Sequence, residues 1–240
     1  MRHCGAVTPQ PPGRTPHKAP QAPLRCPGGE DTPPEAREAP RADRPRGRPG
    51  NGDDGPVRVI AGSAKGRILR PPRTSATRPI TDRAKESLLN ILMPRIAGRR
   101  FLDLFAGTGS VGIEALSRGA AHATFVERSA PALAGIRHNL DVTGLAARAE
   151  VVGRDVFGYL RQPPVPFDVI FVAPPQWHGL WPRAVALLDR EPGWLADGAL
   201  VVAQHDPSES VPLDLAHLEL ADERSYGRVR FTFFGARASA

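Results

Sequence analysis

From residue 100 onward, apolar positions fall in short runs that alternate with helical stretches. The runs at residues 101–105, 123–126, 150–152, 167–172 and 199–203 read as five strands. Residues 111–117, 131–142, 156–160 and 180–188 read as the helices between them. Strands apolar throughout, separated by helices, imply a parallel sheet covered on both faces. Residues 215–220 and 228–234 read as a closing antiparallel pair joined near Tyr226-Gly227, which makes seven strands. Before residue 100 the pattern differs. Residues 57–61 alternate weakly, residues 62–66 (Gly-Ser-Ala-Lys-Gly) form a turn and residues 67–70 return, which predicts a hairpin. A loop follows at residues 71–79. Thr81 or Asp82 then caps a helix to about Met93, with Leu88, Leu89, Ile91 and Leu92 as its apolar contribution, and Pro94 ends it. No internal repeat is evident.

Composition divides the chain further. Residues 1–55 hold 12 prolines and 8 glycines, with Met1, Val7 and Leu24 as the large aliphatics. Such a stretch buries too little apolar surface to offset the entropy of ordering it, so it is expected to be a disordered, dispensable tail. Val57 stands as a candidate translation start. The expected organisation is therefore a tail at 1–55, a basic extension at 56–99 and the α/β domain at 100–240. Both cysteines, Cys4 and Cys26, lie in the tail, so no disulfide framework or cysteine metal site is expected, nor any other metal. No apolar run approaches the roughly 18 residues of a transmembrane helix. A monomer in a reducing cytoplasm, away from membranes, is the expectation.

Charge is unevenly spread. Residues 56–100 carry 11 basic residues against 2 acidic, whereas residues 101–240 carry 12 against 16. A mildly acidic body with a strongly basic leading segment is the electrostatic footprint of a polyanion partner. Arg58, Lys65, Arg67, Arg78, Arg83 and Lys85 are the candidate nucleic-acid contacts.

Gly107-Thr-Gly109-Ser-Val-Gly112 matches G-x-G-x-x-G between a strand and a helix, and Glu127 ends the next strand. Alone this is a dinucleotide fingerprint, and it leaves an NAD-dependent oxidoreductase open, although no catalytic Tyr-Lys or His spacing accompanies it. Glycines of this kind let any nucleotide-like ligand approach the backbone. Asp103 stands four residues before Gly107, and Asp155 follows the third strand. Each acid has a plain reading, as a cap or a surface group. At the ends of three successive strands they point together to a bound ligand. The string Asp-Leu-Phe-Ala-Gly-Thr-Gly resembles motif I of class I S-adenosylmethionine methyltransferases. That resemblance implies that Asp103 organises the methionine end, that Glu127 takes both ribose hydroxyls, and that Asp155 contacts the adenine amino group. Phe105, Gly107, Gly109 and Arg128 complete the implied cofactor set.

After the fourth strand stands Ala173-Pro174-Pro175-Gln176. It resembles the (Asp/Asn)-Pro-Pro-(aromatic) motif of enzymes that methylate exocyclic amines of bases. Acceptors holding the amine protons favour a pyramidal nitrogen and offset the charge that develops on it. Two prolines fix φ and so aim the carbonyls. The chain departs twice, with Ala173 for the acid and Gln176 for the aromatic. Three readings remain open: main-chain carbonyls suffice; Gln176 supplies the acceptor and Trp177 or Trp181 the stacking surface; or the protein binds without turnover, as an RNA-binding assembly factor.

Residues 58–66 (Arg-Val-Ile-Ala-Gly-Ser-Ala-Lys-Gly) and 78–90 (Arg-Pro-Ile-Thr-Asp-Arg-Ala-Lys-Glu-Ser-Leu-Leu-Asn) narrow the resemblance. They are similar to the opening and the helix entry of the small-subunit ribosomal RNA guanine-N2 methyltransferase family often called RsmD. The resemblance spans about residues 57–235. It implies a Rossmann-like class I methyltransferase fold, S-adenosylmethionine as cofactor, and a guanine N2 of 16S ribosomal RNA as target, within an assembled or assembling small subunit.

Overall fold

The computed structural model describes residues 56–71 and 80–237. The expected tail and Arg78 lie outside the described residues. The strands are β1 (Arg100–Leu104), β2 (His122–Glu127), β3 (Ala149–Gly153), β4 (Phe167–Val172), β5 (Leu195–His205), β6 (Leu218–Tyr226) and β7 (Val229–Ala236). The helices are α1 (Asp82–Leu92), α2 (Ser110–Ser117), α3 (Ala130–Thr143), α4 (Val156–Tyr159) and α5 (Leu180–Arg190). All seven strands form one sheet in the order β3-β2-β1-β4-β5-β7-β6. The first five are parallel, and β7 runs antiparallel to both β5 and β6. This is the Rossmann-like arrangement expected. No helix among the described residues is long and apolar enough to cross a membrane.

Two apolar layers cover the sheet. One joins Leu88, Leu89 and Leu92 of α1, Ile113 and Leu116 of α2, and Ile136 and Leu140 of α3 to Phe101, Phe125 and Phe171. The other joins Val156 and Phe157 of α4 and Trp181, Val185 and Leu188 of α5 to Leu102, Val126, Ile170 and Val201. Successive residues of β1, β2 and β4 feed opposite layers, as the side-chain alternation of a strand demands. Being buried on both faces, they read as continuous apolar runs.

Three departures from the sequence reading have local causes. The final pair was expected to begin at residue 215, but β6 begins at Leu218. Asp189 at the end of α5 accepts the N–H groups of Ala216, His217 and Leu218 at 2.9, 2.7 and 2.8 Å, which holds Ala216 and His217 out of the ladder and leaves Leu218, opposite Ala236, as its first residue. β5 begins at Leu195 rather than 199, because Leu195 pairs with Phe167 ahead of an irregularity in the ladder. The leading hairpin forms, but with a single bridge, Arg58 to Ile68. Its amides at Ile60 and Ala61 are diverted to Glu114 of α2, at 2.7 and 2.8 Å.

Glu114 also corrects one candidate RNA contact. Lys85 is fully buried, not exposed. Its ammonium donates to the Arg58 carbonyl and lies 4.0 Å from Glu114 Oε2 and 3.8 Å from Asp82. Burial pushes its pKa down, against the pull of Glu114 and Asp82. Glu114 further accepts Arg118 Nε at 3.1 Å. This carboxylate therefore staples hairpin, α1 and α2 together. Replacing it by Ala leaves two half-buried amides without their acceptor and removes one of the two carboxylates that face the buried Lys85 ammonium. Glu114→Ala should cost about 3–5 kcal/mol, measured by urea unfolding, with residues 57–69 losing hydrogen-exchange protection first.

Candidate functional site

β1 and β4 lie side by side, but the chain leaves them toward opposite faces, to α2 and to α5. Such a switch point opens a crevice beyond the strand ends. The two non-glycine residues with left-handed backbone among those described both stand there, Phe105 (φ 62°) after β1 and Trp177 (φ 69°) after β4. Bulky residues in this conformation carry strain, and such strain clusters at functional sites. Ala173 N donates to Leu104 O at 3.3 Å, which joins the two loops at their roots.

The glycine turn is built as the sequence implies. Gly107 (φ 55°) and Gly109 (φ 71°) are left-handed, and the Gly109 N–H closes on Ala106 O at 2.7 Å. Gly112 has ordinary φ but no spare room: a Cβ there would lie 2.4 Å from Phe125. The third glycine thus sets the close approach of α2 to the sheet.

Two acids meet this turn, and a third follows β3. Glu127 Oε2 accepts Gly107 N at 3.0 Å, and Oε1 accepts Arg128 N and Ser129 N at 2.9 and 2.8 Å. Arg128 contributes that amide, and the residue is exposed. Asp103 is buried, and Oδ2 accepts Gly112 N at 3.0 Å. No other hydrogen bond reaches its carboxyl among the described residues. Burial, opposed by the Gly112 bond and reinforced by Glu127, pushes its pKa from 3.8 up to about 8. Asp155 is the N-cap of α4, with Oδ1 accepting Phe157 N and Gly158 N at 3.0 and 3.2 Å. Its plain capping reading is therefore realised, and Oδ2 keeps no partner among the described residues. Phe105 packs edge-on to Phe157, with ring centroids 6.1 Å apart.

Across the crevice, Ala173, Pro174, Pro175 and Gln176 are half-buried. The sequence left two tryptophans as stacking surfaces, and the structure separates them. Trp181 is 3% exposed and stacks on His205 at 4.3 Å, whereas Trp177 is 58% exposed.

The basic candidates scatter. Lys65 and Arg67 are exposed near the hairpin tip, where the Gly62–Ser63 turn meets Ser117 at the far end of α2. That end is about 12 Å of helix from the glycine turn. Arg58 is exposed but engages Asp82 at 3.0 Å, and Arg83 is exposed on the first turn of α1. Arg70, not singled out from sequence, is exposed close to the turn. Buried Asn139 holds its N–H and its C=O and also donates to Thr108 O at 3.1 Å. No sequence signal marks Asn139, because its three bonds go to backbone distant in the chain.

A carboxyl whose folded pKa lies near 8 binds a proton that the unfolded chain releases near 3.8. Its stabilising effect is full below about pH 4 and is lost as pH rises toward about 8. In the ligand-free protein, Asp103→Asn should therefore raise the melting temperature at pH 8 more than at pH 5. Thermal unfolding across that range checks it, and an equal shift at both pH values contradicts the burial argument.

Comparison with known proteins fits this geometry. The family described as Conserved hypothetical protein 95 matches residues 57–235. The ribosomal RNA small subunit methyltransferase D of Escherichia coli K12 is 36% identical over 80% of this chain and 96% of its own length. Its namesake in Haemophilus influenzae is 36% identical over 75% and 94%. The solved structure of yhhF from Escherichia coli is 36% identical, with a TM-score of 0.69 over 77% of this chain and 100% of that one. With strand order, glycine turn and sequence in agreement, the chain belongs to the Conserved hypothetical protein 95 family, that of the ribosomal RNA small subunit methyltransferases D.

Proposed function

We propose that this family member transfers a methyl group from S-adenosylmethionine to the exocyclic N2 of a guanine in 16S ribosomal RNA, within an assembled or assembling small subunit. The observation that carries this reading is the meeting, at one switch point, of the glycine turn and its acids with the Ala-Pro-Pro-Gln loop. The kinship with relatives named for small-subunit ribosomal RNA supports the substrate class.

The residues fit the cofactor. Asp103 offers a desolvated carboxyl with one oxygen unpaired, which suits a cationic amino-acid end. Glu127 spends Oε2 on one amide, which leaves that oxygen a lone pair for a ribose hydroxyl. Asp155 Oδ2 is free for an adenine amino group, and Phe105 with Phe157 gives an apolar wall. Bound there, S-adenosylmethionine supplies an electrophilic methyl. Everything else falls to the chain. Ala173 and Pro174 carbonyls accept the amine protons and hold the nitrogen lone pair toward the crevice. Pro174 and Pro175 keep those carbonyls aimed, Gln176 adds an acceptor, and the Trp177 indole supports the flipped base. Arg58, Arg70 and Arg83 guide the RNA backbone, together with Lys65, Arg67 and Arg78 where the particle reaches them. We assign these roles within residues 100–240 and 56–99 respectively.

Methyl transfer to small subunits lacking the mark, with the product nucleoside identified, tests the reading. N2-methylguanosine is the expected product. Binding of the particle and of S-adenosylmethionine without product selects the assembly-factor alternative. Calorimetry on Glu127→Ala should show S-adenosylmethionine affinity lower by about 1.5–3 kcal/mol, roughly tenfold to 150-fold. Unchanged affinity removes Glu127 from the cofactor site. For the RNA side, Arg70→Glu with Arg83→Glu should flatten the salt slope of RNA binding by about one to two units. Affinity for S-adenosylmethionine should stay within about twofold, since no phosphate contact is involved. A slope that ignores the change places the RNA path elsewhere.

A further inference from the structure

We propose that Glu209 is the positioning residue of the target-base loop, fixing Trp177 where its indole can receive the base; the inference rests on the function proposed above.

Glu209 enters the site from another element. It ends the short turn Pro207–Glu209 that follows β5. Its carboxylate Oε1 accepts the backbone N–H of Trp177 at 2.6 Å, 32 residues away in sequence. That is a charge-assisted bond, the stronger kind. It falls on a non-glycine residue held at φ 69° beyond a Pro-Pro pair. A left-handed tryptophan backbone does not persist without something to over-determine it. Trp177 packs little of its own side chain, at 58% exposure. Its conformation therefore leans on the bond to Glu209.

The turn carrying Glu209 is itself pinned at several points. Asp206 accepts Ser208 N and Ser208 Oγ at 3.0 and 2.6 Å, and Arg228 Nε at 3.3 Å. The Ser208 bonds hold its carboxyl below the usual range. His205 Nδ1 lies 2.9 Å from Asp206 O, and Nε2 lies 2.9 Å from Thr232 Oγ1. Trp181, flat on the His205 ring, donates Nε1 to Glu209 O at 3.3 Å. Backbone and side chain of Glu209 are thus fixed independently. Its second oxygen, Oε2, is buried with no hydrogen-bond partner among the described residues. A half-satisfied buried carboxylate weakens a fold. Its presence here is explained if the single bond to Trp177 serves the site rather than stability. The chain lacks the acid and the aromatic at positions 173 and 176, and Glu209 with Trp177 restores a rigid stacking surface by another route.

Trp177 gives the test a readout, because the other two tryptophans, Trp181 and Trp194, are 3% and 1% exposed. Acrylamide quenching of tryptophan fluorescence therefore reports Trp177. In the full-length protein, Glu209→Ala should raise the quenching constant and the fast depolarisation of that indole. It should lower kcat/KM for small subunits about tenfold, with S-adenosylmethionine affinity unchanged. Glu209→Gln keeps an oxygen for the Trp177 N–H and should recover most of the rate. In a Trp177→Ala background, Glu209→Ala should subtract little more, because its effect passes through the indole. Wild-type quenching and rate in Glu209→Ala overturn the proposal, as does an equal loss with and without Trp177, which marks a merely structural role. If the wild-type protein methylates no particle, the proposed reaction fails, while the quenching comparison still decides the part played by Glu209.

Discussion

The switch point between β1 and β4 is the constraint on which the rest of the molecule depends. Parallel strands need crossovers, and these crossovers leave β1 and β4 toward opposite faces of the sheet. Nothing can fill the wedge between them except loops. Those loops must turn sharply, which explains Gly107, Gly109 and the left-handed Phe105 on one side and the Pro-Pro pair with left-handed Trp177 on the other. The crevice is a product of topology, and the chemistry lines it.

The basic extension depends on the same construction from the other end. Its hairpin is too short to hold itself, with one bridge and two amides turned away from the ladder. A buried carboxylate on α2 and a buried amide on α3 complete it, Glu114 near the tip and Asn139 near the outgoing end. Since α2 begins at the glycine turn, the extension and the turn share one helix. Asn139 spans both directly through Arg70 and Thr108. A segment that reads from composition as an appended basic arm is thus tied structurally to the glycine turn.

Several groups at the site work against stability. Asp103 is a carboxyl buried on one hydrogen bond, Glu209 keeps an unpaired buried oxygen, and two aromatic residues adopt a backbone that favours glycine. Such features persist where a ligand completes them, and the well-packed layers elsewhere tolerate them.

What the sequence determined by itself was set by short-range rules. Apolar runs buried on both faces marked the strands β1, β2 and β4, capping placed the start of α1 at Thr81 or Asp82, of which folding uses Thr81, and the glycine turn with acids at three strand ends was legible as a pattern that suits a nucleotide-like ligand. The residues that tertiary structure decided are those whose partners lie far along the chain. Lys85 looked like one more exposed cation until folding buried it between Arg58 and Glu114. Trp177 and Trp181 were equivalent until β5 and β7 supplied His205 and Thr232 to bury one and leave the other free. Glu209 and Asn139 carried no signal at all, because a hydrogen bond to distant backbone leaves no periodicity, spacing or motif in a single sequence. Local propensity and burial are written in neighbouring residues; the pairing of polar groups across a folded crevice is not.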